Sequence, residues 1–187
     1  MESEYNIVQP PPLNRIVVIG PESTGKSTLA RQLASCFDTA FADEYARSYL
    51  EQLDRPYTLA DMEAMARGQL GLERKAVAGA RHGLYFCDTD LYVFKVWSED
   101  RYGSCPEEIL RDIATRACHL YILTDIDMPW QDDPLREHPE PEMRQYFFHI
   151  YHDIVQHSGV PFIRVYGDEA QRLRMGQDVI KKMGLYQ

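Results

Sequence analysis

The apolar, β-branched run Ile16-Val17-Val18-Ile19 leads straight into Gly20-Pro21-Glu22-Ser23-Thr24-Gly25-Lys26-Ser27, and this junction constrains the fold more than any other feature. A short uninterrupted run of this kind reads as a strand buried on both faces. The eight residues after it satisfy Gly-x-x-x-x-Gly-Lys-[Ser/Thr] without mismatch, a loop whose backbone amides cradle phosphates where a helix begins. Gly25 permits close backbone approach, Lys26 reaches the β and γ oxygens of a triphosphate, and the Ser27 hydroxyl is placed to ligate Mg²⁺. Gly20, Glu22, Ser23, Thr24, Gly25, Lys26, Ser27 and Thr28 are therefore the expected ATP-binding residues, with Lys26 also catalytic.

The same rhythm continues along the chain. Further strands are expected near Phe41 to Asp43 and over Leu84 to Cys87, Leu120 to Leu123 and Phe162 to Tyr166. The first helix runs from near Lys26 to near Phe37. Thr58 with Asp61 three residues on opens a long helix carrying Leu59, Met62, Met65, Ala66, Leu72 and Ala76. Met143, Phe147, Ile150 and Ile154 share one face of a later helix, and Ala170, Leu173, Ile180 and Met183 share one face of the last. Strands alternating with helices predict an α/β fold, a parallel sheet covered on both faces. At 187 residues one domain accounts for the chain. Residues 15–187 are expected to form it, with 1–14, containing Pro10-Pro11-Pro12, a flexible N-terminal extension. The proline- and aspartate-rich stretch near 124–141 has no apolar periodicity and is long enough for a functional lid.

Charge and composition narrow the partners. A net charge of -9 supplies no global positive field for duplex nucleic acid, so an anionic partner must be caught locally. No apolar run approaches a membrane span, and the start Met1-Glu2-Ser3-Glu4 is acidic where a signal peptide is basic. A cytoplasmic location follows as the expectation. The four cysteines, Cys36, Cys87, Cys105 and Cys118, have no metal-ligand spacing and are expected to be reduced and mostly buried. His149, His152, Asp153 and Gln156 share a helix face that reads as solvated polar surface.

Carboxylates and arginines complete the expected site. Asp88 ends the Leu84 strand, where a phosphate-loop protein places its metal carboxylate, and Asp90 follows two residues later. Asp88 is thus the Mg²⁺ and catalytic candidate with Ser27, and Asp90 a substrate-side candidate whose ordinary alternative is a helix N-cap. Glu44 ends the second strand and is placed to take the proton of an acceptor hydroxyl. Arg47, one turn on, is placed to hold a substrate oxygen. Within the proline-rich stretch, Arg136 is the cation a lid delivers to the transferring phosphoryl group, with Arg144 on the next helix in support. Trp130 either covers a base or anchors the lid. Tyr45, Tyr49, Trp97 and Tyr102 offer rings for stacking, though core packing is their usual use.

Taken together, Gly20-Pro21-Glu22-Ser23-Thr24-Gly25-Lys26-Ser27, Glu44-Tyr45-Ala46-Arg47, Asp88-Thr89-Asp90 and Trp130 with Asp133, Leu135 and Arg136 resemble the ribosylnicotinamide kinase domain of NadR-type NAD-biosynthesis proteins. This is a branch of the P-loop nucleoside and nucleotide kinases, and the resemblance runs from Arg15 to Met183. It implies a P-loop fold with a five-stranded sheet of order 2-3-1-4-5. It also implies transfer of the ATP γ-phosphate to the 5′-hydroxyl of nicotinamide riboside, with Glu44, Tyr45, Arg47, Asp90 and Trp130 binding the nucleoside. Two departures stand out. The family's adenylyltransferase domain is not expected here, so a separate protein is expected to adenylylate the mononucleotide. Where members place an aromatic residue before the glutamate, this chain has Asp43. A kinase for another nucleoside or small metabolite, an NTPase switch or motor, and a non-catalytic nucleotide sensor are the competing classes. A GTPase lacks its Asn-Lys-x-Asp run here, and an AAA-type motor is expected to add a helical domain after the last helix.

Overall fold

A computed structural model describes residues 13–186, so the expected extension lies almost wholly outside the described residues. Asn14 already belongs to the first strand. Five strands, β1 (Asn14–Ile19), β2 (Phe41–Ala42), β3 (Leu84–Asp88), β4 (Leu120–Thr124) and β5 (Phe162–Val165), form one all-parallel sheet of order β2-β3-β1-β4-β5. β1 is central because its six residues are all buried, which only an interior strand between two helix layers allows.

The helices are α1 (Lys26–Cys36), α2 (Tyr45–Leu50), α3 (Leu59–Gly79), α4 (Leu91–Tyr102), α5 (Glu107–Thr115), α6 (Pro141–His157) and α7 (Glu169–Lys182). Alternation along the strands divides the core. Ile16, Val18, Phe86 and Ile122 pack beneath α1 and α7, while Val17, Ile19, Cys87 and Leu123 face α6 and parts of α3 and α4. A third cluster, with Ala46, Met62, Met65, Phe94 and Ile109, joins α2, α3, α4 and α5 beside the sheet. α3 starts as expected, with Thr58 and Asp61 forming a capping box.

Several expected details differ. β2 stops at Ala42, before Asp43, and β5 stops at Val165 and leaves Phe162 exposed at the sheet edge. The buried stripe of α7 is Arg172, Gly176 and Ile180, and Ala170 and Met183 face solvent. Apolar spacing misplaced it because its first member is charged. On α6 the fully buried side chains are Phe147, Phe148, Tyr151 and Val155, with Met143, Ile150 and Ile154 flanking them half-buried. All four cysteines are free, yet only Cys87 is buried, Cys36 being exposed at the end of α1. His149, Asp153 and Gln156 are exposed, and His152 is half-buried beside Phe148 and Phe162. No helix among the described residues is long and apolar enough to cross a membrane.

Candidate active site

The loop between β1 and α1 lies at the C-terminal ends of the strands, where open parallel sheets bind ligands. Its shape depends on glycine at both ends. Gly20 has φ 148°, and a Cβ there would sit 2.5 Å from the Thr124 hydroxyl. Gly25 has φ 76° and directly precedes α1, whose free N-terminal amides face the same space. Thr24 fastens the loop from beneath. Its hydroxyl lies 2.8 Å from the Pro21 carbonyl and 2.7 Å from the Thr124 hydroxyl at the end of β4. The Lys26 ammonium donates to the Pro21 carbonyl at 2.6 Å, at the wall of a cleft of about 250 Å³.

Residues 20–28, including every expected ATP-binding residue, line that cleft, and Glu44, Arg47, Arg136 and Arg144 line it too. Strand register explains how Asp88 comes near. It pairs beside Val18, two residues before the loop, and the Thr89 amide donates to the Val18 carbonyl at 2.9 Å. Asp88 is 1% exposed, and neither of its carboxylate oxygens has a hydrogen-bond partner. Burial and the neighbouring Glu44 charge push its pKa up to about 7, against the pull of the nearby Ser27 hydroxyl and of Lys26. Burial likewise raises Glu44, with Lys26 opposing and Glu22 adding to the rise. A buried carboxylate with unused lone pairs and a half-buried one nearby fit a divalent cation, which would favour their charged forms.

The segment between β4 and α6 closes over the loop. Glu22 accepts the Glu137 amide at 3.0 Å and the His138 amide at 3.4 Å, and the Ser23 hydroxyl accepts the Gln131 amide at 2.8 Å. Arg136 donates to Ser23 Oγ at 3.3 Å and to the Gln131 carbonyl. Arg144 reaches from α6 to the carbonyls of Met128 at 3.0 Å and Ser23 at 3.4 Å. Arg47 pairs with Asp133, joining α2 to the same segment. The Leu135 amide, with Arg47 and Arg136 nearby, holds the Asp133 carboxyl below its usual range.

Four expected site residues do not line the cleft: Asp88, on the strand beside the loop, and Asp90, Tyr45 and Trp130. Asp90 N-caps α4 through the Tyr92 amide at 3.0 Å, accepts the Tyr121 hydroxyl at 3.2 Å and faces Arg15 at 3.7 Å. The bond to the Tyr92 amide is that of the N-cap alternative. Tyr45 lies against α3 where Gly68 leaves room, since a Cβ there would fall 2.0 Å from its ring. That ring packs into the gap over Gly68. Trp130 donates to Asp132 at 3.0 Å and places its ring 5.9 Å from the Arg136 guanidinium and 5.7 Å from that of Arg144. Both guanidiniums are within cation–π range of the ring, a contact the anchoring alternative uses.

The family profile for an AAA domain matches residues 15–172, most of the chain and all the elements that build this cleft. The chain belongs to that family. Within it, the chain is 27% identical over 164 residues to the trifunctional NAD biosynthesis/regulator protein NadR of Escherichia coli, covering 84% of this chain and 39% of NadR. This chain therefore spans well under half of that curated relative. A solved structure of NadR protein in complex with NR is 24% identical, with TM-score 0.72, covering 92% of this chain and 52% of that one. Another, in complex with NAD and AMP-PNP, is 23% identical with TM-score 0.68, covering 91% and 49%. At these identities the two structures establish the shared fold.

Some participants in this AAA domain's cleft carry no motif. Trp97, Phe147 and Tyr151 line it as core residues whose edges reach the surface, and Met128 lies over Gly25. Arg172, buried on α7, had one visible signal, a cation at the spacing of an apolar stripe.

Proposed function

We propose that the chain is an ATP-dependent kinase that phosphorylates the 5′-hydroxyl of nicotinamide riboside to give nicotinamide mononucleotide. The observation that carries phosphoryl transfer is the buried Asp88 carboxylate, neither oxygen hydrogen-bonded, on the strand beside the phosphate loop, with a second carboxylate, Glu44, on the cleft wall. Ser27 and Asp88 would hold Mg²⁺, which when bound neutralises charge developing on the transferring phosphoryl group. Lys26 and the loop amides hold the triphosphate. Glu44, its pKa raised by burial, takes the proton from the attacking hydroxyl. The bond from the β-bridging oxygen to the γ-phosphorus breaks as the bond from the acceptor oxygen forms, and ADP leaves. Arg136, with Arg144 behind it, stabilises the equatorial oxygens and the lid segment excludes water.

The acceptor's identity rests on the similarity to NadR. A smaller hollow beside the cleft is lined by Tyr57, Trp97, Asp100, Arg101 and Glu137, and shares Glu22, Trp97, His138 and Phe147 with it. There Arg101 lies 4.2 Å over the Tyr57 ring and donates to Glu137 at 2.9 Å, so a cation of the protein itself already occupies that ring and that acid. A second acceptor remains a competing reading because Asp43 is exposed and lies 3.4 Å from Arg31, leaving no ring at that position. The AAA domain match makes acceptor-independent hydrolysis the contrasting outcome. A coupled ADP-release assay with Mg-ATP separates them. Stimulation by nicotinamide riboside above a panel of ordinary nucleosides supports the proposal. Equal turnover without acceptor, or stimulation by another nucleoside alone, removes it.

A further inference from the structure

Arg172 is 2% exposed, and its donors leave its own helix for three loops at the C-terminal edge of the sheet. Nη1 donates to the Thr24 carbonyl at 2.6 Å, Nε to the Gly167 carbonyl at 2.9 Å and Nη2 to the Asp125 carbonyl at 3.2 Å. Nη2 also pairs with Asp127, whose second oxygen accepts the Gly167 amide at 2.6 Å. One planar fork thus joins the phosphate loop, the base of the lid segment and the β5–α7 turn, a task that needs fixed, divergent donors. Helix integrity does not require it, because α7 is capped separately by Asp168 and Gln171.

The bond to Thr24 has a consequence in the cleft. A trans peptide is planar, and its C=O and N–H point in opposite directions. Pulling the Thr24 carbonyl down onto Arg172 turns the amide of Gly25, a cleft residue, the other way, toward the phosphate space. Gly25 at φ 76° has no side chain to resist a peptide flip, so the carbonyl anchor decides the orientation.

We propose that Arg172 is a positioning residue for triphosphate binding, fixing the Thr24–Gly25 peptide so that its N–H faces the phosphates and tying the lid base to that loop. The proposal rests on the cleft being the ATP site, and not on which acceptor is phosphorylated. The test is Arg172→Lys, which keeps the charge but loses the fork. Mg-ATP affinity is titrated without acceptor, acceptor KM is measured at saturating ATP, and the nucleotide-free Tm is recorded. We expect Mg-ATP affinity to fall about tenfold, the effect of one charge-assisted hydrogen bond, with acceptor KM unchanged. A purely structural role would lower Tm and leave Mg-ATP affinity at the wild-type value. That outcome, or a parallel loss of both affinities, overturns the proposal. If Arg172→Lys does not fold, Asp127→Ala decides, since it removes a partly exposed partner. About a threefold loss of Mg-ATP affinity supports the proposal, and an unchanged value overturns it. Failure of nicotinamide riboside in the acceptor panel leaves the ATP titration standing, so the two proposals fail separately.

Discussion

Asp88 carries the conflict between stability and function at its sharpest. A buried carboxylate without partners costs folding free energy, which a residue kept only for the fold would not. Asp88→Asn, isosteric with the neutral acid, should raise the Tm of the nucleotide-free protein by about 2–4 °C, read by calorimetry. The same change should lower Mg²⁺-dependent turnover about 100-fold or more. Glu44→Gln tests the other carboxylate: turnover should fall at least about 100-fold while Mg-ATP affinity stays near the wild-type value. Wild-type turnover in Glu44→Gln would remove it from the mechanism. These two positions were legible because strand ends and a loop motif place them by rule. For Asp90 and Tyr45 the sequence left a cap and core packing open beside a substrate role, and the bonds to the Tyr92 amide and the space over Gly68 are invisible in it.

Among the elements, α3 is held at its start by a concentrated set of bonds. Asp61 accepts from Thr58 N and Oγ1 at 2.7 Å each, from Tyr49 at 2.6 Å and from Arg55 at 2.7 Å. Arg55, Tyr49 and Thr58 hold its carboxyl well below the usual carboxylate range. A depressed folded-state pKa gives stability that is complete above the unfolded pKa and lost as pH falls through and below it. Asp61→Asn should therefore lower stability by about 1 kcal/mol near neutrality, and its deficit should shrink as pH drops below about 4. A deficit constant with pH in thermal melts would show that the charge on Asp61 contributes nothing. The capping box was readable from Thr58 and Asp61 alone. The α7 stripe was not, because Arg172 stands where an apolar residue would, and a buried cation serving distant carbonyls has no signature in local periodicity.

At the scale of the whole molecule, the sheet order places β1 between β3 and β4, so the phosphate loop, Asp88 and Thr124 converge at one edge from three separate parts of the chain. The strand–helix rhythm announced that convergence. The closure of the 125–140 segment over it was only partly legible, since Glu22 and Ser23 grip backbone amides, which any sequence supplies. A kinase cleft moves a phosphoryl group to a hydroxyl and not to water. The most direct measurement is ³¹P NMR of the products formed from Mg-ATP and nicotinamide riboside. Transfer to the 5′-hydroxyl gives a new phosphomonoester resonance split by the two C5′ protons, growing in step with ADP. Inorganic phosphate as the sole partner of ADP would contradict it.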